Sequence, residues 1–152
     1  MKVAQSYFSL LVIGMILLVS ACKKEETLPP QSAPVIGILS ITPDTLVQYQ
    51  DSVVIVIQYE DQNGDLGSID PDKHDLEIKD SRLQFADTYH VKPLSPDGYS
   101  LFIRGTLSIT LPTMFLLGNG NLEQVTFSIR MRDRAGQWSA EVDSDPIFIK
   151  RE

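Results

Sequence analysis

The segment Glu60-Asp61-Gln62-Asn63-Gly64-Asp65-Leu66-Gly67 sets oxygen-bearing side chains at positions 61, 63 and 65 around a glycine. Calcium asks for this pattern, because it takes several hard oxygen ligands and a sharp turn must wrap them round the ion. One reading has Asp61, Asn63 and Asp65 converging on a calcium ion, with a carbonyl from Leu66 or Gly67. The other is a tight β-turn, rich in Asp, Asn and Gly because turn geometry favours them. An EF-hand does not fit. Gly64 comes too early, no helices flank the loop, and its twelfth position is Asp72 rather than a bidentate Glu. Further acids follow at Asp70, Asp72, Asp75, Glu77 and Asp80, with Lys73 and Lys79 against them. Crowded carboxylates repel unless solvent or a cation relieves them.

The elements that must position this loop read as β. Val35, Gly37, Leu39 and Ile41 open a first strand. Ser52–Tyr59 (SVVIVIQY) is β-branched on both faces, as a central, covered strand should be. Leu76 and Ile78 alternate with Glu77 and Lys79. Tyr89 and Val91 suit a short edge strand that Pro93 ends. Leu101, Ile103, Gly105, Leu107, Ile109 and Leu111 form one inward stripe, with Phe102, Arg104, Thr106, Ser108 and Thr110 outward. Val125, Phe127, Ile129 and Met131 form another, and Pro146-Ile147-Phe148-Ile149 closes the domain. A period of two over such lengths excludes amphipathic helices. Asn63-Gly64, Pro96-Asp97-Gly98, Gly118-Asn119-Gly120 and Ala135-Gly136 supply the turns. Thr113–Leu117 is a short helical turn or plain loop. About seven short strands predict an all-β, immunoglobulin-like sandwich without the disulfide of antibody domains. In that fold the loop after the second strand and the loop before the last share one pole. Asp133, in Arg132-Asp133-Arg134-Ala135-Gly136, therefore joins the metal candidates. Arg132 and Arg134 offer the alternative of salt bridges to the same acids.

Other residues carry less chemistry. His74 and His90 lack ligand spacing and read as surface residues. No G-x-S-x-G nucleophile motif occurs, and no carboxylate pair stands out for glycoside hydrolysis. No catalytic residue is nominated. Trp138 is a partner-binding aromatic or a cap on the end of the core. Phe102 and Phe148 alternate away from the expected core and, with Tyr99, would make an apolar docking patch. With 20 acids against 13 Lys and Arg, the net charge of −7 excludes nucleic acid as a charge-driven partner.

The N-terminus is the most specific signal. Lys2 precedes an apolar run, Tyr7–Leu18, and then Val19-Ser20-Ala21-Cys22. The run is shorter than the ~20 residues of a membrane span, and small residues follow it as at a cleavage site. Cys22 is the only cysteine, so no internal disulfide is available. The run resembles the bacterial lipobox. The resemblance implies a signal peptide over residues 1–21, cleavage before Cys22 and acylation of its thiol. Two acyl chains anchor a protein stably, at about 0.8 kcal/mol per buried CH₂. Residues 22–33 then read as a flexible, proline-containing tether, and 34–152 as the domain. Lys23-Lys24-Glu25-Glu26 resembles the signal that sends some Bacteroidota lipoproteins to the cell surface, or is a solvated charged linker.

A strand ending in Asp-x-Asn-Gly-Asp-Leu-Gly, with Asp-Arg-Ala-Gly-x-Trp-Ser near the C-terminus, resembles small Bacteroidota lipoproteins with an immunoglobulin-like domain. The resemblance covers roughly Pro34 to the C-terminus and implies fold and location: an outer-membrane lipid anchor, with the domain at the cell surface or the periplasmic face. Their typical loop has Asp where this chain has Asn63, which keeps an oxygen ligand and removes a charge. The expected role is an envelope binding or accessory protein that recognises a protein or glycan, without catalysis. The alternative is a structural spacer or complex subunit with calcium as a fold staple. Cys22→Ala should leave an unlipidated precursor. Intact mass of the wild-type protein checks the premise, and a mass that retains Met1–Ala21 without acyl groups would refute it.

Overall fold

A computed structural model describes residues 32–96 and 98–152. The signal peptide, Cys22 and most of the tether lie outside the described residues. These fold entirely as strands, turns and loops. Ten strands form: β1 (Val35–Thr42), β2 (Thr45–Val47), β3 (Val53–Asp61), β4 (Leu76–Asp80), β5 (Asp87–Tyr89), β6 (Ile103–Leu111), β7 (Leu122–Val125), β8 (Phe127–Met131), β9 (Val142–Asp143) and β10 (Ile147–Lys150). Thr113–Leu117 is loop.

One layer is the antiparallel sheet β1-β3-β6. The other is β5-β4-β8-β9, continued by β2-β10-β7. Thr126 alone separates β7 from β8, so the two make one strand that changes partners midway. β2 runs parallel to β10, while the other pairings are antiparallel. This is an immunoglobulin-like β-sandwich. The expectation of about seven strands is exceeded for two reasons. The late strands break into pieces, and β2 and β9 are too short to show a period.

Alternation builds the core. Along β3, Val53, Ile55, Ile57 and Tyr59 are buried, while Val54 and Val56 are only half-buried. Along β8, Phe127, Ile129 and Met131 face them from the other sheet and join the same cluster. β6 follows the expected phase, with Ile109 and Leu111 buried and Ile103 and Leu107 packed against the cluster. Leu101 departs from it, exposed in the loop before the strand. β1 departs too. Ile36 is buried, whereas Val35 and Leu39 are exposed. A bulge between Ile38 and Ser40 adds one residue, which swaps the faces and returns the odd-numbered phase only at Ile41.

Gly105 shows how closely the first sheet packs: a Cβ there would sit 2.6 Å from the Tyr59 hydroxyl. The fragment 34–152 should unfold cooperatively by itself, because described core residues begin with Ile36. Phe127→Ala should cost that fragment about 3–5 kcal/mol in urea unfolding, the usual loss for a fully buried phenylalanine. A loss below about 1 kcal/mol would mean that the core is not closed around β8.

Candidate functional site

Asp61 is the last residue of β3 and is 1% exposed. Its carboxylate folds back on the chain that follows. Oδ1 accepts the Asn63 N–H at 3.1 Å and Oδ2 accepts the Asp65 N–H at 2.7 Å. Gly64 lies between them at φ 66°, and a Cβ there would run into the Leu101 carbonyl. Gly67, at φ 78°, is pressed in the same way against the Lys92 carbonyl. The two glycines of the motif are therefore steric requirements.

The second loop starts where β8 ends. Asp133 is 1% exposed and bridges to Leu66 across the pole. Its Oδ1 accepts the Gln137 N–H at 2.7 Å, and its own N–H donates to the Gln137 carbonyl. The Arg134 N–H donates to the Asp65 carbonyl at 2.9 Å. Ser95 and Arg134 side chains both donate to the Gly64 carbonyl. Asp61, Asn63, Asp65 and Asp133, which lie as far as 72 positions apart in sequence, meet at this pole. The carbonyl of Leu66, one of the two offered with Gly67 as a ligand, accepts the Leu94 N–H.

What the loops leave over is chemically unusual. Asn63 is 8% exposed, and neither its Oδ1 nor its Nδ2 has a partner. Asp65 Oδ1 and Asp133 Oδ2 are buried without one. Buried polar atoms are nearly always paired, and each exception asks for an explanation. The electrostatics agree. Burial, then the carboxylates of Asp133 and Asp61, push the Asp65 carboxyl above its ordinary range. Burial first, with Asp61 adding to it, pushes Asp133 up against the N–H groups that favour its charged form.

Arg82, Arg130 and Arg132 pair with other acids. Arg132 pairs with Asp75 at 3.3 Å, Arg130 with Glu77 at 2.6 Å, and Arg82 with both Asp80 (2.7 Å) and Glu123 (2.8 Å). The later acids of the motif region are thus mostly matched, while Asp70 and Asp72 lie in solvent. Among the described residues, no three Asp, Glu, His or Cys side chains form a ready-made metal cage. The unpartnered donors include an amide, Asn63, which lies outside that set of residue types.

Trp138 is half-buried, with the Arg130 and Arg132 guanidinium groups 4.5 Å and 5.1 Å from its ring centroid. Phe102 is 55% exposed, Tyr99 is exposed, and Phe148 is half-buried. His74 contacts Thr88 Oγ1 and His90 the Lys73 carbonyl, each at the surface. Sequence reasoning missed a second aromatic feature. Tyr49 and Phe115 stack with centroids 6.0 Å apart and planes 6° from parallel. Tyr49 is 66% exposed and held at φ 63°, with its N–H donating to the Met114 carbonyl. Phe115 also lines a largely apolar cleft of about 220 Å³ with Leu83, Tyr89, Met114 and Leu117.

No protein-family model and no curated protein matches the chain. Among solved structures, a crystal structure of a mutant SrpA adhesin from Streptococcus sanguinis is similar at 17% identity with a TM-score of 0.40. The match covers 82% of this chain and 60% of that one.

Because the Asp65 and Asp133 carboxyls sit above their ordinary pKa of 3.8, the folded state binds their protons more tightly than the unfolded chain does. Protonating them therefore favours the fold, and that advantage is lost as the pH rises through the folded values. In chelator at pH 7, Asp65→Asn should melt above wild type, and the gap should narrow as the pH falls toward 4. A gap independent of pH, followed by circular dichroism, would show that this carboxyl carries no penalty.

Proposed function

We propose that this protein is a lipid-anchored module of the outer membrane, with its domain at the cell surface or the periplasmic face. It recognises a protein or glycan partner and performs no catalysis. The lipobox resemblance at Cys22 supports the location. The observation that carries the binding role is the exposed Tyr49–Phe115 stack beside an apolar cleft. Aromatic side chains give rigid contact area at small entropic cost. Tyr49 is also kept at a backbone angle that L-residues avoid, at a cost of order 1 kcal/mol. A surface tyrosine held this way by a neighbouring loop is better matched to recognition than to packing. Phe102 and Tyr99 add exposed aromatic surface, whereas Trp138 is covered by arginines and Phe148 is only half-exposed.

The second reading is a structural spacer or subunit of an envelope complex. It draws on the two loops stitched together at the pole, which would stiffen the end of the domain.

A glycan array and site-specific photo-crosslinking in intact cells, with the crosslinker at Phe115, separate the two. The binding reading expects a discrete glycan or envelope-protein adduct. Tyr49→Ala with Phe115→Ala should lower that binding at least tenfold and change stability by less than about 1 kcal/mol. Binding unchanged in the double variant would remove the aromatic pair from the interface. Neither array binding nor a discrete adduct would favour the spacer.

A further inference from the structure

At the pole formed by Asp61, Asn63, Asp65 and Asp133, the side chains of Asn63, Asp65 and Asp133 each keep a buried oxygen without a hydrogen-bond partner. We infer that the pole is a calcium site that couples the loop after β3 to the loop after β8, with Asn63 Oδ1, Asp65 Oδ1 and Asp133 Oδ2 as side-chain ligands. This inference is independent of the aromatic surface proposed for partner binding.

Two observations carry it. The first is the set of acids at the pole, none of which takes part in the four ion pairs found among the described residues. The second is Asn63. It is more than nine-tenths buried, it lies between the acids in the loop, and its side-chain amide has no hydrogen-bond partner. A buried water could satisfy that amide. It would leave Asp65 Oδ1 and Asp133 Oδ2, on two different loops, buried without a partner. A divalent cation answers the unpartnered oxygens and the repulsion among the acids together. The donors are all oxygens and include a neutral amide, which suits calcium better than zinc or copper.

The structure also divides the labour within the motif. Asp61 is the loop's clamp: both its oxygens already accept backbone N–H groups. Each retains a lone pair, so it can touch the ion, but its first task is to set the turn. Asp65 and Asp133 each keep one oxygen unused. They lie on different loops, so the ion would bind only when the two loops are docked. It would therefore bind the folded state and not the unfolded chain, which is the condition for stabilisation by mass action.

The test uses calcium alone, on the full chain purified in detergent. Titration calorimetry should give one site, and calcium at a hundredfold excess over Kd should raise the melting midpoint by roughly 5–15 °C over chelator. Asp65→Asn should weaken binding at least tenfold and lose most of the rise, yet in chelator it should melt above wild type because a buried charge is gone. Asp133→Asn should behave similarly. Asn63→Asp should bind more tightly, by about tenfold, and melt lower in chelator. Asp70→Asn with Asp72→Asn, outside the pole, should match wild type. Identical wild-type midpoints in calcium and chelator, with no heat of binding, would overturn the inference, as would a calcium rise that survives Asp65→Asn. Because the chelator melts report folding of Asp65→Asn directly, a lost response in that variant cannot be mistaken for a failure to fold.

Discussion

Asp61 is where a strand becomes a site. β3 is the central strand of its sheet, and its buried residues run from Val53 through Tyr59 to Asp61 in one unbroken alternation. The same period that drives four apolar side chains into the core drives a carboxylate in after them. A buried carboxylate is costly unless hydrogen-bonded. Asp61 meets that demand with the N–H groups of Asn63 and Asp65, which fixes the turn and carries Asn63 into the interior. The pole follows from this constraint. The turn brings Leu66 against Asp133, and that bridge brings a second buried carboxylate to the first.

The arrangement of charge over the second sheet follows a different rule. Arg130, on the outward face of β8, and Arg132, just past its end, meet Glu77 and Asp75 from β4 and the loop before it. Trp138 lies against both guanidinium groups. The Arg130–Glu77 pair is half-exposed and adds little to stability, whereas Arg132 reaches a buried Asp75. Both pairs matter for what they occupy. They hold the arginines at the acids around β4, while Asp61, Asp65 and Asp133 enter none of the ion pairs found among the described residues.

Much of this was legible in the chain. The stripes of β3, β6 and β8 are long enough to fix both type and facing by period alone, and the pole could be placed because the fold's connectivity brings those loops together. The failures have separate causes. β2 and β9 are three and two residues long, and pairing with β10 and β8 makes them strands. The inward face of β1 was misread because one bulged residue shifts the phase, and nothing in Ile38-Leu39-Ser40 announces it. The Tyr49–Phe115 stack joins loops 66 positions apart, and no local pattern encodes it. The carboxylate of Asp80 looked like one more unpaired acid of the motif region. Arg82, two residues on, was its partner all along.

The two features that distinguish this sandwich therefore differ in kind. The pole is built from buried groups whose positions are dictated by the sheet, so its geometry is as rigid as the core beneath it. The aromatic stack is built from exposed groups on loops, which the Tyr49 N–H to Met114 carbonyl bond and the Arg82 bond to the Phe115 carbonyl help to hold. Loops that carry function on a rigid scaffold can vary their side chains without cost to the fold. Asp61, Gly64 and Gly67 have no such freedom, because a change at any of them reaches β3 or the packed backbone of Leu101 and Lys92. The fixed polar pole and the replaceable aromatic surface are physically separable parts. Of the two, the aromatic surface is the one whose residues could change to meet a different partner while the sandwich stays the same.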